Sequence, residues 1–275
     1  MEFIFDRCRE KNAPTIVFIN GLFAELTSFD PAITLLKERY PDRFHLLRYN
    51  GYGQGELGQF KVEELAEPLT LLHFVRQLYQ LLGEVKTTGP IYLLGLSNGG
   101  RVALKFAELY QRDFLIPAVF ALDTYDQVTP MIEAKLKSWL QAYLVGGASL
   151  RFDIATPWIW GEKIFNEKSE IILSYREKAN LFKKASVEHL INQAIDKNLE
   201  QQINLDNINT PVHLICGQYD LLTPVFLHEK MLQRLKKGSL QIVETGHASI
   251  IERPNIILEN VMSKIIENEK EGTTC

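Results

Sequence analysis

The sequence predicts an α/β fold, with a mostly parallel central sheet, helices on both faces of it and an inserted helical cap. Short apolar runs alternate with longer stretches of helical periodicity, a pattern typical of parallel strands joined by crossover helices. The alternation stops near residue 128 and resumes near residue 200, and the segment between is helical and aromatic. We therefore expect residues 1–127 and 201–275 to form the core, with 128–200 inserted as the cap.

The strand predictions rest on short runs rich in β-branched and aromatic residues, such as TIVFI and VHLIC. One strand is expected near EFIFD at the start of the chain. The others are predicted at 15–19, 44–49, 91–94, 118–122, 212–216 and 240–244.

Helices are predicted where apolar residues recur with a period near 3.6. The stretch 62–83 shows this periodicity, and Pro68 places the true start of its helix near that residue. Further helices are expected at 99–110, about 225–236 and about 254–267.

Composition excludes several classes of function. The chain has 275 residues, of which 46% are hydrophobic and 23% charged, and its net charge is -4. This charge favours neither nucleic acid nor an anionic membrane as a partner. No run approaches 18 apolar residues, and MEFIFDRCREKN lacks the apolar region of a signal peptide. We expect a cytoplasmic protein without stable membrane insertion.

The three cysteines indicate neither a metal site nor a disulfide framework. Cys8, Cys216 and Cys275 lie far apart and match no ligand spacing, which suits a reducing cytoplasm. Cys216 stands in an apolar run and is expected to be a small buried core residue. No metal and no organic cofactor is predicted.

The stretch GLSNGG joins a predicted strand to a predicted helix and places Ser97 among three glycines. Small neighbours permit a sharp strand-to-helix turn that exposes one side chain at its tip. A Gly-x-Ser-x-Gly pattern alone is weak, but a buried strand before it and an amphipathic helix after it strengthen it. Ser97 is therefore the predicted nucleophile.

A serine hydroxyl needs a base, and His247 is the candidate. It follows a predicted strand, in a loop beside Gly246, where this fold class places its chemistry. His73 and His189 fall in helical patterns, His45 and His213 in strands, and His228 on an expected surface helix.

The base needs a carboxylate to orient it, and Asp220 follows the strand VHLIC at the same end of the sheet. Asp123 and Asp126, which follow another strand, compete for this role. An oxyanion also needs two N–H donors. We expect these donors from Asn98 and from Leu22 in the loop NGLFAE, with Phe23 as second choice for the latter.

Together these motifs resemble the α/β-hydrolase superfamily over nearly the whole chain. GLSNGG resembles its nucleophile elbow, CGQYDLLTP its acid loop and GHASIIERP its histidine loop, in the family's order Ser, Asp, His. The family usually has His-Gly where this chain has Asn20-Gly21. Asn20 either orients the loop through side-chain hydrogen bonds or signals an altered oxyanion loop.

The cap sequence LRFDIATPWIWGEKIF resembles that of the 3-oxoadipate enol-lactone hydrolase-like branch, which contains ester, lactone and carbon–carbon bond hydrolases. Phe152, Trp158 and Trp160, with Phe23 of the core, are the candidate substrate-binding residues; the alternative for the cap residues is packing between cap and core. Arg151 and Lys163 could bind a carboxylate, but solvated surface charges are the favoured interpretation.

The resemblance implies a serine hydrolase of the carboxylesterase type that cleaves a small ester, lactone or thioester through an acyl-enzyme. A carbon–carbon bond hydrolase and a non-catalytic ligand-binding protein stay open as alternatives. An aspartate-nucleophile dehalogenase or epoxide hydrolase is disfavoured because position 97 is serine. A monomer or weak homodimer is expected.

Overall fold

The computed structural model describes residues 1–272, and these contain a seven-stranded sheet in the order β1-β3-β2-β4-β5-β6-β7. β1 runs antiparallel to β3, and every other neighbouring pair is parallel. The predicted strands are all present, with ends that agree to within two residues. They are β1 (Phe3–Asp6), β2 (Thr15–Ile19), β3 (His45–Tyr49), β4 (Ile91–Leu96), β5 (Val119–Leu122), β6 (Val212–Gly217) and β7 (Gly238–Val243).

The helices surround this sheet and fill the interval between β5 and β6. They are α1 (Asp30–Arg39), α2 (Gly55–Glu63), α3 (Leu71–Val85), α4 (Asn98–Tyr110), α5 (Pro130–Ile159), α6 (Glu162–Glu167), α7 (Ser169–Ala179), α8 (Lys184–Ala194), α9 (Val225–Arg234), α10 (Ser249–Glu252) and α11 (Pro254–Gly272).

The periodic stretch 62–83 is not one helix, because α2 ends inside it and α3 begins after Pro68. Thr70 caps α3 reciprocally with His73: its hydroxyl lies 2.7 Å from His73 Nδ1, and its backbone N–H donates to the same nitrogen. A proline in the preceding link and this cap fix the helix start. Helix α2 was not expected from the sequence.

Alternate residues of each central strand enter different layers of the core. In β2, Val17 and Ile19 belong to the layer with α3 and α4, whereas Ile16 and Phe18 belong to the layer with α1 and α11. A strand buried on both faces reads as a continuous apolar run, which is why these strands were predictable.

Residues 130–194, the helical segment, contain α5 to α8 and no strand. Helix α5 is interrupted at Gly147, whose φ of 73° and ψ of -165° are non-helical. A positive φ of this kind is accessible to glycine without a steric penalty.

Membrane-spanning helices and the state of the cysteines can also be assessed in the described residues. Within residues 1–272, no helix is both long and apolar enough to cross a membrane. Cys8 and Cys216 are free, and Cys216 is buried as predicted. Cys275 lies outside the described residues.

The strand order fixes where a site can form. β2 and β4 are neighbours, but the chain leaves β2 towards β3 on one side and leaves β4 towards β5 on the other. Such a divergence opens a crevice at the carboxyl ends of the two strands. The loop after β2 and the turn after β4 both border it.

Candidate active site

Ser97 occupies the tip of a tight turn between β4 and α4. Its φ of 55° and ψ of -119° are unusual for a residue with a side chain, and its N–H donates to Leu122 O at 2.8 Å. A Cβ at Gly95 would overlap the backbone of Gly99, and one at Gly99 would overlap that of Ile19. The flanking glycines therefore permit the close approach that holds the serine in place.

The structure brings the predicted serine, histidine and aspartate into one hydrogen-bonded chain. His247 Nε2 lies 2.8 Å from Ser97 Oγ, and His247 Nδ1 lies 2.9 Å from Asp220 Oδ2. All three residues are buried. With the proton on Nδ1, Nε2 is free to accept the serine proton, so the chain has the geometry of a nucleophile activated by an oriented base.

The Asp220 carboxylate is held by a full set of donors. Its Oδ1 accepts from the N–H groups of Leu222 and Thr223, and its Oδ2 accepts from the Thr223 hydroxyl at 2.7 Å. Burial alone raises the pKa of Asp220, but the charge of His247 and the hydrogen bonds from His247 and Thr223 outweigh it and lower the pKa. The carboxylate is thus ionised and fixed in orientation.

Asp220 acts in the opposite direction on His247. Burial lowers the pKa of His247, but attraction to Asp220 and their hydrogen bond raise it by more, with smaller contributions from Asp123 and Glu252. The net shift is upwards, which makes the imidazole a stronger base and stabilises the imidazolium.

The competing acids have different places. Asp123 is buried at the end of β5, where its Oδ1 accepts from Gly217 N–H and its Oδ2 from Ser249 N–H. It therefore joins the loop that holds Asp220 to the loop that holds His247. Asp126 is paired with Arg234 at 2.7 Å. Neither competitor contacts the imidazole by a hydrogen bond.

The expectation that His228 lies on a surface is wrong. It is fully buried, and its Nε2 accepts the N–H of Thr124 at 3.0 Å. Burial lowers the pKa of His228 to about 4, so the ring is a neutral structural acceptor. His228 anchors the backbone that follows β5.

The loop after β2 meets the serine directly. A Cβ on Gly21 would lie 3.3 Å from Ser97 Cβ, and Leu22 lines the same cavity as the serine. Among the hydrogen bonds of residues 1–272, the N–H groups of Leu22 and Asn98 have no protein acceptor. Asn20 donates to Tyr49 O at 3.0 Å, so its side chain ties the ends of β2 and β3 together.

Glu252 is a buried residue whose role the sequence analysis missed. Its carboxylate accepts the N–H groups of Gly161, between α5 and α6, and of Gly246, beside the histidine. His247 N–H donates to Ile159 O at 2.6 Å. The Glu-x-Pro sequence after the histidine was the available signal. These bonds fix the histidine loop against the helical segment.

The chain is similar to known proteins both in sequence and in structure. No protein-family model matches the chain. It is 22% identical over 258 residues to 3-oxoadipate enol-lactonase 1 of Acinetobacter baylyi, covering 90% of this chain and 87% of the relative. It superposes on the enol-lactonase of Burkholderia xenovorans LB400 with a TM-score of 0.80 at 19% identity, covering 96% of this chain and 95% of that one. The protein has the α/β-hydrolase fold.

Two further structures show the same fold. The α/β-hydrolase MGS-M2, from a Medee basin deep-sea metagenome library, gives a TM-score of 0.79 at 23% identity, covering 95% of this chain and 92% of that one. A thermophilic esterase from Thermogutta terrifontis gives 0.77 at 18% identity, covering 97% and 93%. In this fold, the divergence between β2 and β4 lies where a ligand crevice is expected.

The crevice contains a cavity of about 110 Å³ whose wall includes Ser97 and His247. Three of the four candidate substrate-binding residues line it: Phe23, Phe152 and Trp160. Trp158 is not among the lining residues. It is partly buried against the core, and the centre of its ring lies 4.8 Å from Lys135 Nζ.

The interpretation of Arg151 as a solvated surface charge is wrong. Arg151 is only 2% exposed and lines the cavity. Lys163, by contrast, has a half-exposed side chain 3.9 Å from Glu167, so it is the surface charge that was expected. Trp139 and Tyr175 also line the cavity and were not singled out from the sequence.

Asp123, Cys216 and Asp220 place potential metal ligands within 4.8 Å of one another. The carboxylates already accept hydrogen bonds from backbone and side-chain donors, and burial raises the pKa of Cys216, which keeps its thiol protonated. The donor set is therefore engaged in organising the loops rather than arranged for a cation.

Proposed function

We propose that the protein is a serine hydrolase that cleaves a small carboxylic ester, lactone or thioester through an acyl-enzyme. The supporting observation is the continuous chain from Ser97 Oγ through His247 to Asp220, which borders a mostly apolar cavity. The named enol-lactonase and esterase relatives agree with hydrolysis of this bond class.

In the first step, Ser97 Oγ forms a bond to the substrate carbonyl carbon while its proton passes to His247 Nε2. Asp220 holds the imidazole tautomer and stabilises the imidazolium. Collapse of the tetrahedral intermediate breaks the bond to the leaving group, which receives the proton from His247. In a lactone the leaving oxygen stays attached to the acyl chain.

The oxyanion is stabilised by the N–H groups of Leu22 and Asn98. Both lack a protein acceptor, so they meet the incoming oxyanion without first breaking an internal hydrogen bond. A single preorganised donor of this kind contributes about 3–4 kcal/mol to the barrier reduction. Water, deprotonated by His247, then hydrolyses the acyl-enzyme and restores Ser97.

The helical segment acts in this proposal as a cap that shapes the substrate cavity. Phe152 and Trp160 supply apolar surface from the cap, and Phe23 supplies it from the core. An apolar wall excludes water from the acyl group, which strengthens the electrostatic interactions around the serine. A cytoplasmic location and a monomeric or weakly dimeric state stay predictions.

The test is hydrolysis of p-nitrophenyl esters from acetyl to dodecanoyl by the wild type and by Ser97→Ala and His247→Ala. We expect turnover of a short-chain subset that both variants lose while circular dichroism shows them folded. A fluorophosphonate should label the wild type at Ser97 and leave Ser97→Ala unlabelled.

A folded wild type that cleaves none of these esters and resists the fluorophosphonate would overturn the proposal. Turnover of a vinylogous diketone in its place would support carbon–carbon bond hydrolysis. Tight ligand binding without turnover would support a receptor.

A further inference from the structure

Gln54 is a buried glutamine in the connection between β3 and α2. It is 3% exposed and stands in the stretch GYGQGE, which follows β3. Its Nε2 donates to Gly21 O at 2.5 Å and lies 3.4 Å from Leu22 O. Both carbonyls belong to the loop after β2. Gln54 therefore contacts the backbone of the loop that carries one of the two proposed oxyanion donors.

The orientation of the Gln54 amide follows from its partners. Its Oε1 accepts the N–H of Gly51 at 2.9 Å. A backbone N–H bonds to an acceptor and a backbone carbonyl bonds to a donor, so the oxygen and nitrogen of the amide cannot be exchanged. The backbone N–H of Gln54 donates in return to Gly51 O at 3.0 Å. The side chain is thus held at both ends, with its NH₂ group directed at the loop after β2.

This contact sets the direction of the Leu22 N–H. Gly21 O and Leu22 N–H belong to the same peptide group, and no peptide bond of residues 1–272 is cis. In a planar trans peptide the C=O and the N–H point in opposite directions. Because Gly21 O is directed at Gln54, the Leu22 N–H points away from Gln54. Gly21 itself faces the nucleophile, since a Cβ built on it would lie 3.3 Å from Ser97 Cβ.

The loop after β2 has little support of its own at this peptide. Inside the loop, the N–H of Ala24 donates to Gly21 O at 3.4 Å, which is long for a hydrogen bond. The flanking anchors are the Asn20 side chain before it and, after it, the N–H of Leu26, which donates to Asn50 Oδ1 at 2.8 Å. Between these anchors, only the glutamine side chain holds the peptide closely from outside the loop.

We propose that Gln54 is a positioning residue of the oxyanion hole, because its amide fixes the Leu22 N–H in the direction of the developing oxyanion. A donor fixed in advance stabilises the transition state without reorganisation at the moment of reaction. The bond to Gly21 O is shorter than the contact with Leu22 O, so the N–H of Leu22 is better fixed than that of Phe23. The inference rests on the proposed hydrolase function, and Gln54 is not among the residues that line the cavity.

The kinetic test replaces Gln54 by methionine, which keeps the length of the side chain and removes its hydrogen bonds. On the p-nitrophenyl ester that the wild type cleaves best, we expect Gln54→Met to lower kcat/KM about 10- to 100-fold. This is less than the loss on removing a donor outright, because the Leu22 N–H stays and loses only its fixed direction. Soluble yield and circular dichroism show whether the variant is folded.

Two binding measurements separate this effect from a general loss of structure. Phenylboronic acid forms a tetrahedral adduct with a catalytic serine, and its inhibition constant should rise by about the same factor as kcat/KM falls. The ester itself should bind Ser97→Ala with the same Kd, measured by calorimetry, whether or not Gln54→Met is also present. A role in the transition state changes the first quantity and leaves the second unchanged.

Gln59→Met is the matched control. Gln59 is also a buried glutamine, lies on α2, and accepts the backbone N–H of Lys183 at 2.6 Å. None of its hydrogen bonds in the described chain reaches the loop after β2. Its replacement should lower the Tm but leave kcat/KM and the boronate inhibition close to those of the wild type. An equal loss of kcat/KM in both variants would overturn the inference.

A crystal structure of the wild type with phenylboronic acid tests the geometry even if Gln54→Met does not fold. We expect a boronate oxygen to accept the N–H groups of Leu22 and Asn98 while Gln54 still donates to Gly21 O. A structure in which Gly21 O has left Gln54, or in which Phe23 replaces Leu22 as donor, would overturn the inference.

Failure of this inference and failure of the proposed function give different results. A wild type that cleaves the esters, with a folded Gln54→Met that is equally active, overturns the role of Gln54 and leaves the hydrolase proposal standing. A folded wild type that cleaves no ester and forms no boronate adduct overturns both.

Discussion

The substitution Asp123→Asn tests whether a buried carboxyl group holds the two catalytic loops in register. Each carboxyl oxygen accepts a different backbone N–H, from Gly217 at 2.8 Å and from Ser249 at 3.0 Å. Burial, with repulsion from Asp220, raises the pKa of Asp123 to about 8. Both oxygens of Asp123 act as acceptors, so the substitution changes its hydrogen bonding as well as its charge.

An asparagine at this position keeps one acceptor and turns the other into a donor. Whichever way the amide is oriented, an NH₂ group faces a backbone N–H that has lost its acceptor. The expected cost is about 1–3 kcal/mol, the range for a buried group left unsatisfied. A domain of this size loses about 2–4 °C in Tm per kcal/mol.

Glu252→Gln is the control because the same chemical change there should leave the main hydrogen bonds in place. Glu252 Oε1 accepts from both Gly161 and Gly246, whereas Oε2 adds only a second contact to Gly246 at 3.2 Å. A glutamine that presents its oxygen at the Oε1 position keeps both main bonds. We therefore expect a smaller loss of Tm than in Asp123→Asn.

Thermal unfolding followed by circular dichroism and kcat on a p-nitrophenyl ester measure the two effects. Asp123→Asn should lower both quantities, because its two bonds join the loops of Asp220 and His247. A Tm and kcat equal to those of the wild type would refute the reasoning. So would a loss in Glu252→Gln as large as that in Asp123→Asn.

Three further outcomes are expected. His247 must be neutral to act as base and its pKa is raised above 6.5, so kcat/KM should fall as pH drops through a value above 6.5. Asp220→Asn removes the largest contribution that raises the pKa of His247, so the acid limb of the pH–rate profile should move to lower pH. The same variant should reduce kcat by about 10⁴. Gly99→Ala should prevent folding, because its Cβ would overlap the backbone of Ile19. Gly83→Ala in α3 places its Cβ in open space, so the free energy of unfolding should rise by about 1 kcal/mol. Soluble yield and thermal unfolding measure the contrast.

Local sequence patterns predicted the strands and the three site loops because their causes are local. Strands buried on both faces are continuous apolar runs, and Gly95 is required by the backbone of Gly99 within the same turn. Asp220 was found because it follows the buried strand β6, and His247 because its loop follows β7, an edge strand that still has a recognisable β-rich run. The short distances between Ser97, His247 and Asp220 depend on the order of the strands in the sheet. The alternation of strands and helices in the sequence predicts a parallel sheet but not this order.

The wrong interpretations concern side chains whose surroundings come from distant parts of the chain. The partner of His228 is the N–H of Thr124, 104 residues away, and no helical period in α9 indicates it. Arg151 was assigned to the surface because a charged residue is seldom buried alone. Phe152, Ala155 and Ile159 fall on one face of α5, which lines the cavity, but helical spacing does not separate Arg151 from Trp158, because seven residues bring a helix back to nearly the same side.

Within the described residues, features that cost stability concentrate around the catalytic loops and the cavity beside them. Ser97 and Asp123 have positive φ values at the ends of β4 and β5, whereas the other such non-glycine residues, Asp42 and Lys86, lie in exposed turns. Strain of this kind persists only where the surrounding structure enforces it, and it concentrates at functional sites. Arg151 belongs to the same class, because it is 2% exposed and its Nε has no hydrogen-bond partner among the described residues. Arg151→Met should therefore raise the Tm of the free protein. A Tm of Arg151→Met below that of the wild type would contradict this reasoning and show that the buried charge stabilises the fold.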